Sequence, residues 1–345
     1  MSYKITISDI AKELKVTAAT VSRALNNHPR ISKETKEKVA EVAQRLNYRP
    51  NKIASSLRSG KSHVIGVIIP SAQMNFFGSV VHGIQSMANS FGFSILLYQS
   101  EETPEFEIKA IEAFLGARVD GILASIAKGT TDFSHYEDLV KRNVPLVFFD
   151  RTNDMFDIPS VVINDYKGAY NATEHLIKQG YKRIAHVCGQ QHLRSFIDRM
   201  RGYKDALKTY GLEVKEEYIY PGNISIESGK EAAEYYLGLE TPPDAVFAVE
   251  DYSALGVIQG LKERGIKIPA EFGIVGFANE SFGEYITPSL SSVDQQTVQM
   301  GREAFKMLID VINENGAVTD ASAKVVLEPV LLSRKSSLKK EQGQL

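Results

Sequence analysis

Four residues near the N-terminus have side chains suited to contacting DNA bases. Ala18, Ala19, Ser22 and Arg23 fall on one exposed face of a short predicted helix. An arginine can donate two hydrogen bonds to a guanine, and an alanine methyl can touch the methyl group of a thymine. Small neighbouring side chains also let the helix backbone approach the floor of the major groove. The pattern predicts base contacts, although Arg23 taken by itself could be an ordinary surface arginine.

Three short helices are predicted to carry and brace this face. Thr6, Thr17 and Ser32 can each cap a helix, and Asp9 stands three residues after Thr6, in a weaker form of the capping box. Apolar residues follow the caps at helical spacing: Ile7, Ile10, Ala11 and Leu14, then Val21 and Leu25, then Val39, Ala40, Ala43 and Leu46. Two short helices joined by a tight turn and supported by a third have the layout of a helix-turn-helix DNA-binding unit.

The charge of the chain is distributed unevenly. Its 345 residues carry a formal net charge of −2, but residues 1–61 hold 13 basic and 5 acidic side chains, whereas residues 62–345 hold 27 basic and 37 acidic ones. A small basic segment on a larger acidic body indicates a polyanion-binding module joined to a part with another task. A solvated basic tail would give the same balance, but this segment is not of low complexity.

Two short runs carry a resemblance to a known family. Residues 19–26 read ATVSRALN, and residues 46–51 read LNYRPN. With these runs, the chain from residue 6 to about residue 337 resembles the lactose and galactose repressor (LacI/GalR) family of bacterial transcription regulators. The resemblance implies a helix-turn-helix domain at 1–50, a hinge helix and linker at 51–61, and a body like that of a periplasmic sugar-binding protein.

The resemblance extends the set of DNA-binding positions beyond one helix face. The base-contacting positions of the family fall on Ala18, Ala19, Ser22 and Arg23, and a further groove-facing position falls on Arg30. Positions near phosphate, which set the register without reading bases, fall on Thr20, Asn26, Lys33 and Thr35. The remaining implied DNA-binding positions are Tyr48, Asn51, Ala54 and Leu57.

Residues 51–58 match the hinge helix of the family. An isolated helix of this length is marginal in water, and the resemblance implies that it folds only when two copies meet on operator DNA. Leu57 then matches the wedge that opens a central base step from the minor groove, a mode of binding that kinks the duplex. The alternative is that Leu57 is an ordinary apolar residue of a linker.

From Ser62 onward the pattern is that of an α/β fold. Continuous apolar runs of the kind found in strands buried on both faces alternate with helical stretches; they are 64–70, 93–98, 121–124, 146–149, 183–187, 245–249 and 273–277. Gly83 and Gly92 in the first half correspond to Gly202 and Gly211 in the second, at the same interval. This weak repeat predicts two similar lobes, with a cleft at the carboxyl ends of their strands.

The expected fold is therefore multidomain, with an α-helical head and a two-lobed α/β body of parallel sheets. The resemblance implies three crossovers between the lobes, which we place near Val161, Ser292 and Leu327. The first lobe is then expected to comprise residues 62–161 and 292–326, and the second lobe residues 162–291 and 327–337. Residues 338–345 are expected to form a polar tail.

The resemblance also places nine residues at effector-binding positions in the cleft: Met74, Phe76, Phe77, Asp150, Arg151, Arg199, Glu250, Ala278 and Gln295. The rings of Phe76 and Phe77 can stack on the apolar face of a sugar, and Arg199 matches the main ligand-binding arginine of the family. Two alternatives stay open: the phenylalanines could be core residues, and Asp150 with Arg151 could be a structural ion pair.

Three of these positions depart from the family pattern. Met74 and Glu250 each stand where asparagine is usual, and Ala278 stands where an aspartate usually accepts hydrogen bonds from sugar hydroxyls. Arg151 and Arg199 suit a planar carboxylate or a phosphate as well as hydroxyls. We therefore expect an effector other than a galactoside, glucose or ribose, such as a modified sugar, a sugar acid or a short oligosaccharide.

Other classes of function find little support. There is no G-x-G-x-x-G after a strand, no phosphate-binding loop and no G-x-S-x-G elbow, and the seven histidines lack metal-ligand spacing. We expect no enzymatic activity, no metal and no cofactor. The single cysteine, the lack of an 18-residue apolar run and the lack of a signal peptide favour a cytoplasmic location without a membrane partner.

These patterns together predict a transcription regulator, in the first place a repressor, that binds a palindromic operator as a homodimer. A small-molecule effector, a sugar or sugar derivative, would control it from the cleft. The alternatives are a solute-binding protein, against which the basic head argues, and an enzyme built on the α/β body. The C-terminal segment from Ser336 has no leucine heptads, which favours a dimer over a tetramer held by a helical bundle.

Overall fold

The computed structural model describes residues 5–48, 61–153, 157–189, 193–314 and 323–339. The chain divides into two compact units, Met1–Ser62 and His63–Leu345, and each is described by itself. Within the described part of the chain, no helix combines the length and the apolar character needed to cross a membrane.

The first unit contains three helices, α1 (Ile7–Glu13), α2 (Ala18–Leu25) and α3 (Lys33–Arg45). The predicted caps are confirmed. The side chains of Thr17 and Ser32 accept hydrogen bonds from the backbone N–H groups of Thr20 and Thr35, at 3.1 and 3.3 Å. Thr6 and Asp9 form the capping box at the start of α1.

A small apolar core joins the three helices. Ile10, Val21 and Val39 are fully buried, one from each helix. The predicted stripe on α3 is wrong at one position: Ala40 is exposed, and Val42 takes its place in the core. At 3.6 residues per turn, Val39, Val42 and Ala43 face the same side of the helix, whereas Ala40 points away from it.

The second unit begins with a lobe built on a six-stranded parallel sheet, of strand order β11-β5-β4-β3-β1-β2. Its strands are β1 (Val64–Ile69), β2 (Ser94–Gln99), β3 (Gly121–Ala124), β4 (Leu146–Phe149), β5 (Ser160–Ile163) and β11 (Lys324–Leu327). Its helices are α4 (Asn75–Ser90), α5 (Pro104–Ala117), α6 (Ser134–Lys141) and α11 (Thr297–Asn313).

The second lobe repeats this design with a sheet of strand order β12-β10-β9-β8-β6-β7. Its strands are β6 (Ile184–Cys188), β7 (Ile219–Pro221), β8 (Ala245–Ala248), β9 (Gly273–Phe277), β10 (Ser291–Asp294) and β12 (Val330–Leu332). Its helices are α7 (Asp165–Lys178), α8 (Arg194–Thr209), α9 (Ile226–Leu237) and α10 (Asp251–Glu263). The last strand, β12, runs antiparallel to β10, in contrast to the all-parallel sheet expected from the sequence.

Along its described elements the chain crosses between the lobes three times, after Ile163, after Asp294 and after Leu327. We expected the first two crossovers near Val161 and Ser292. Both residues lie inside strands, so the chain changes sheet a few residues later in each case. The reason is pairing: β5 remains hydrogen-bonded in the first sheet to its end, and β10 remains in the second.

The internal repeat has a clear packing basis. A methyl group on Gly83 would overlap the carbonyl oxygen of Val298, and one on Gly202 would overlap that of Tyr166. Both glycines therefore allow two helices to approach closely, α4 with α11 in one lobe and α8 with α7 in the other. Gly92 and Gly211 follow their helices at φ values of +76° and +67°, a backbone conformation that favours glycine.

Candidate functional site

The predicted base-contacting face lies on α2, on the side opposite the core of the first unit. Ala18, Ala19 and Arg23 are exposed and Ser22 is half-buried, whereas Val21 and Ala24 are buried. The helix begins at Ala18 because Thr17 caps it, so these small residues lie in its first turns. The face thus combines small side chains with one cation, and both are features that base-edge contacts in a major groove require.

The predicted phosphate-contacting residues lie in α2, just after it and at the start of α3, and several of them also hold local structure. The hydroxyl groups of Thr20 and Thr35 lie 2.9 and 2.8 Å from those of the two cap residues. The side-chain amide of Asn26 donates a hydrogen bond to the carbonyl of Ser22, at 2.8 Å. Polar side chains so fixed in place suit contacts that set register on a duplex.

The other DNA-binding positions divide into three groups. Arg30 and Lys33 are exposed on the first unit. Tyr48 is half-buried against its apolar core. The hinge positions Asn51, Ala54 and Leu57, and the hinge helix predicted at 51–58, lie outside the described residues.

In the second unit, one small cavity between the lobes brings together all nine residues predicted for effector binding. The cavity has a volume of about 50 Å³. The first lobe contributes Met74, Phe76, Phe77, Asp150 and Arg151, and the second contributes Arg199, Glu250 and Ala278. Gln295 lies at a crossover, just after β10.

The aromatic wall of the cavity is formed at the start of α4. Met74 is the N-cap residue, and the rings of Phe76 and Phe77 meet edge to face with centroids 5.0 Å apart. Both rings are also part of the core of the first lobe, with only 7% and 1% of their surfaces exposed. Both phenylalanines are therefore core residues that also line the cavity, and Phe77 is the more deeply buried of the two.

Arg151 makes its main ion pair with a residue that was not predicted for the site. Its Nη1 donates hydrogen bonds to Oε2 of Glu102 at 2.7 Å and to the carbonyl of Ile126 at 3.3 Å. Its Nε lies 3.8 Å from Oδ2 of Asp150, a much looser contact. Asp150 and Arg151 therefore form a second, looser ion pair, and both residues also line the cavity.

The charges around this arginine shift two pKa values in opposite directions. Burial raises the pKa of Asp150, although Arg151 and Arg199 partly oppose it. Burial also acts to raise the pKa of Glu102, but Arg151 and Lys128 outweigh it and the pKa is lowered. Glu102 is thus kept in its charged carboxylate form and fixes the position of Arg151.

Arg199 is almost completely buried and makes contacts with three elements. Its Nε donates to Oδ1 of Asp165 at 2.8 Å, and its Nη1 donates to the carbonyl of Val249 at 2.7 Å. The guanidinium lies over the ring of Phe277, 3.6 Å from the centroid, which is a cation–π arrangement. Burial raises the pKa of Asp165 to about 6 despite the neighbouring arginine.

Glu250 uses one of its carboxyl oxygens to cap a helix. It is the N-cap residue of α10, and its Oε2 accepts a hydrogen bond from the backbone N–H of Tyr252 at 2.6 Å. Burial first, and then the neighbouring Asp251, raise the pKa of Glu250 well above its ordinary value. Glu250 thus lines the cavity while helix capping uses one of its two oxygens.

Sequence reasoning missed Lys128, Ser195, Phe196 and Ile224, which complete the wall of the small cavity. Lys128 follows β3, and Ser195 and Phe196 lie in the first turn of α8. The sequence could have indicated them only by their positions after strands or at the start of a helix, and many other residues share such positions. Among the described residues, no group of three or more His, Cys, Asp or Glu side chains is arranged to hold a metal ion.

The fold and the cleft together define a class: a helix-turn-helix unit in one chain with a two-lobed ligand-binding body of the periplasmic type. Residues 6–51 match the family described as bacterial regulatory proteins, lacI family. Residues 62–326 match the periplasmic binding proteins and sugar binding domain of LacI family. The chain belongs to the LacI family and is a DNA-binding transcription regulator, which confirms the resemblance and the fold expected from the sequence.

Individual relatives agree with this assignment. The chain is 36% identical to catabolite control protein A of Priestia megaterium, over 90% of this chain and 93% of that one. It is 31% identical to the transcriptional repressor CytR of Escherichia coli K12, over 88% and 89% of the two chains. The crystal structure of the lac repressor dimer bound to operator and the anti-inducer ONPF superposes with a TM-score of 0.85 at 25% identity, over 98% of this chain and all of the other.

Proposed function

We propose that the protein represses transcription as a homodimer on a palindromic operator, under the control of a sugar or sugar derivative bound between the lobes. The observation that carries this proposal is the convergence of nine residues, distant in sequence, on one cavity with walls from both lobes. Since both lobes contribute walls, a ligand there has different contacts in open and closed arrangements. Such a difference in affinity is what allows an effector to shift a conformational equilibrium.

The operator part of the proposal is supported by the exposed face of α2. Ala18, Ala19 and Arg23 are free of the core and face solvent, on a strongly basic unit. The chain's relatives include proteins named as repressors, and one solved relative is a repressor dimer bound to operator. We therefore assign repression, rather than activation, as the effect of this regulator on transcription.

The homodimer is supported by an apolar edge on the first lobe. Strand β2 is the last strand of its sheet, and Leu96 and Leu97 on it are 41% and 45% exposed. An exposed apolar edge strand is a ready site for pairing or aggregation unless something covers it. We assign a second copy of the chain as its cover, since operator half-sites on a palindrome require two heads.

Two other functions are disfavoured. A solute-binding protein of a transporter would have no use for the basic helix-turn-helix unit. An enzyme would require reactive groups, whereas the charged groups in the cavity serve as ion-pair and capping partners. We therefore propose a regulator that is not an enzyme and that acts in the cytoplasm, where the operator is found.

A thermal-shift screen of the full-length protein tests the effector part. A sugar present at 100 times its dissociation constant should raise the free energy of unfolding by about 2.7 kcal/mol. The same compound should change operator affinity in a fluorescence-anisotropy titration. A compound that stabilises the protein but is turned over chemically, with no effect on operator affinity, would favour the enzyme instead.

A further inference from the structure

The small cavity adjoins a larger cavity between the lobes. The adjoining cavity has a volume of about 370 Å³, and the two share Lys128, Asp150, Arg151 and Ser195 as a common wall. Ligand sites usually have volumes of about 300–1,000 Å³, so the small cavity alone is below that range and the larger one is within it. A ligand that reaches Arg199 in this arrangement of the lobes must therefore also occupy space beside the shared wall.

The acidic groups that line the larger cavity all have cationic or hydroxyl partners. Asp165 accepts from Arg199, as described above. Asp198 lies 3.0 Å from Nε of Arg194 and 3.1 Å from Nη2 of Arg201. Asp150 accepts a hydrogen bond from Oγ of Ser125 at 3.3 Å. Each of these carboxylates therefore has at least one cationic or hydroxyl neighbour, although the buried Oδ1 of Asp198 accepts no hydrogen bond in the described structure.

The basic groups of the shared wall differ from one another. Arg151 donates a close hydrogen bond to Glu102, at 2.7 Å. Lys128 is held less closely: its Nζ forms an ion pair with Oε1 of the same glutamate at 3.7 Å, and only 21% of the side chain is exposed. Arg194 and Lys324 also line this cavity, farther from the small compartment.

The backbone around Lys128 is held firmly in place by two glutamates. Its own N–H donates to Oε2 of Glu102 at 2.9 Å. Glu107, which is fully buried, accepts from the N–H of Ala127 and from the hydroxyl of Thr130, each at 2.6 Å. The lysine is thus presented on a fixed loop, so little backbone conformational entropy remains to be lost when a ligand binds it.

The charge of this lysine is poorly compensated in the free protein. Burial and the nearby Arg151 lower the pKa of Lys128, with Glu102 and Asp150 acting in the opposite direction. An anion placed between Lys128 and Arg151 would relieve the repulsion between them and could accept a close hydrogen bond from the lysine. A charge-assisted hydrogen bond of this kind is stronger than one between neutral groups.

We propose that the effector carries an anionic group, a carboxylate or a phosphate, which Lys128 binds in the larger cavity while the sugar part reaches the small cavity beside Phe76 and Arg199. The inference rests on the proposed function, since it specifies the chemical class of the same effector. It makes Lys128 a specificity-determining residue of the cleft.

Matched triplets of compounds test the proposal by calorimetry on the full-length protein. Each triplet contains a neutral hexose, its uronic acid and its 6-phosphate, for glucose, galactose and mannose. We expect at least one acidic compound to bind about tenfold or more tightly than its neutral parent, in line with one charge-assisted hydrogen bond. The carboxylate and phosphate arms distinguish the two forms of the anion.

Variants of the lysine then identify the group responsible. Lys128→Met should remove the preference for the acidic compound, Lys128→Gln should weaken it, and Lys128→Arg should keep most of it. Lys167→Met is the matched control, because Lys167 pairs with Glu328 at the surface and lies outside both cavities. Thermal unfolding without ligand shows whether each variant is folded.

The outcomes separate this inference from the proposed function. A neutral hexose that binds as tightly as its acids, through Arg199, would overturn the anion assignment and leave the sugar-controlled regulator standing. A preference for acids that survives in a folded Lys128→Met variant would overturn the role of Lys128. If none of the nine compounds binds, both the anion assignment and the hexose-based effector fail, whereas operator binding is judged independently.

Discussion

The Nε of Arg199 donates a hydrogen bond to Oδ1 of Asp165 at 2.8 Å, and this pair ties the first turn of α7 to the second turn of α8. A second hydrogen bond and the ring of Phe277 hold the same guanidinium. Within the described residues its Nη2 makes no hydrogen bond. The arginine is therefore oriented before a ligand arrives, with one nitrogen available to ligand oxygens.

Replacement of this arginine should affect binding and stability separately. Arg199→Ala should abolish effector binding, because buried ligand oxygens would lose their partner. It should also lower the free energy of unfolding by about 3–5 kcal/mol, because Asp165 is left as an uncompensated buried charge. Calorimetry and urea denaturation measure the two effects.

The double variant Arg199→Ala with Asp165→Asn is the control for that experiment. Removing the stranded carboxylate should restore part of the stability without restoring binding. If Arg199→Ala leaves binding of the effector unchanged in a folded protein, the placement of the effector in this cleft is wrong.

Operator binding should depend strongly on salt and on Arg23. The logarithm of affinity should fall with the logarithm of salt concentration with a slope of about −0.9 per phosphate neutralised. Arg23→Ala should cost about 1–3 kcal/mol and relax preference at one base of each half-site. Arg45→Ala is a suitable control, since Arg45 pairs with Glu13 between helices. An equal loss on all DNA sequences would assign Arg23 to phosphate alone.

Leu57→Ala should weaken operator binding and reduce DNA bending while leaving effector binding intact. The physical reason is that a wedge which separates a base step must fill the opened space, and alanine is too small to do so. Gel mobility of circularly permuted operator fragments measures the bend, and calorimetry measures the effector. Normal bending by the variant would contradict the hinge assignment made from the sequence.

The second lobe should lose stability in mild acid because of His186. This residue is fully buried between the rings of Tyr203 and Phe247, and its Nδ1 donates to the carbonyl of Phe247 at 2.8 Å. Burial lowers the pKa of His186 from 6.5 to about 4. A lowered histidine pKa means that folding favours the neutral form of the ring. The resulting contribution to the free energy of unfolding is complete above the unfolded pKa of 6.5 and is lost as the pH falls from 6.5 toward 4. Between about pH 7.5 and pH 5 the expected loss is about 2 kcal/mol.

His186→Phe should remove this pH dependence. The other ring nitrogen, Nε2, has no hydrogen-bond partner in the described structure, so a phenyl ring removes an unsatisfied polar atom there. Urea denaturation of both proteins at the two pH values measures the difference, with His82→Phe on the surface of α4 as the control. An unchanged pH dependence in His186→Phe would show that other groups cause the acid sensitivity.

A charge on the edge strand should dissociate the homodimer. Leu97→Glu places a carboxylate on exposed β2, where a partner subunit would have to bury it without a counter-charge. Analytical ultracentrifugation should then show a monomer, and operator affinity should fall. Val140→Glu on α6 is the matched control, because Val140 is similarly exposed, at 48%, on another face. A dimer that persists in Leu97→Glu would move the interface elsewhere.

Local sequence patterns were sufficient to predict many of the helix caps, strands and core residues of this protein. Caps such as Thr17 and Ser32, the core spacing of the head and the buried strand runs are each determined within about ten residues, so their physical causes can be read directly. The resemblance carried by two short runs supplied the residues of the cleft. It predicted that Phe76, Arg151 and Arg199 are neighbours, and all three line the same cavity.

The tertiary structure alone decided how those residues are used. Glu102 meets Arg151 across 49 positions of sequence, and Asp165 meets Arg199 across 34, so no local pattern could reveal either ion pair. Glu250 lines the cavity, and one of its oxygens also accepts from the N–H of Tyr252 at the start of α10, where backbone N–H groups lack helical partners. The loose ion pair of Lys128 with Glu102, at 3.7 Å, is likewise a product of tertiary structure, because such distances are set by packing and not by residue type.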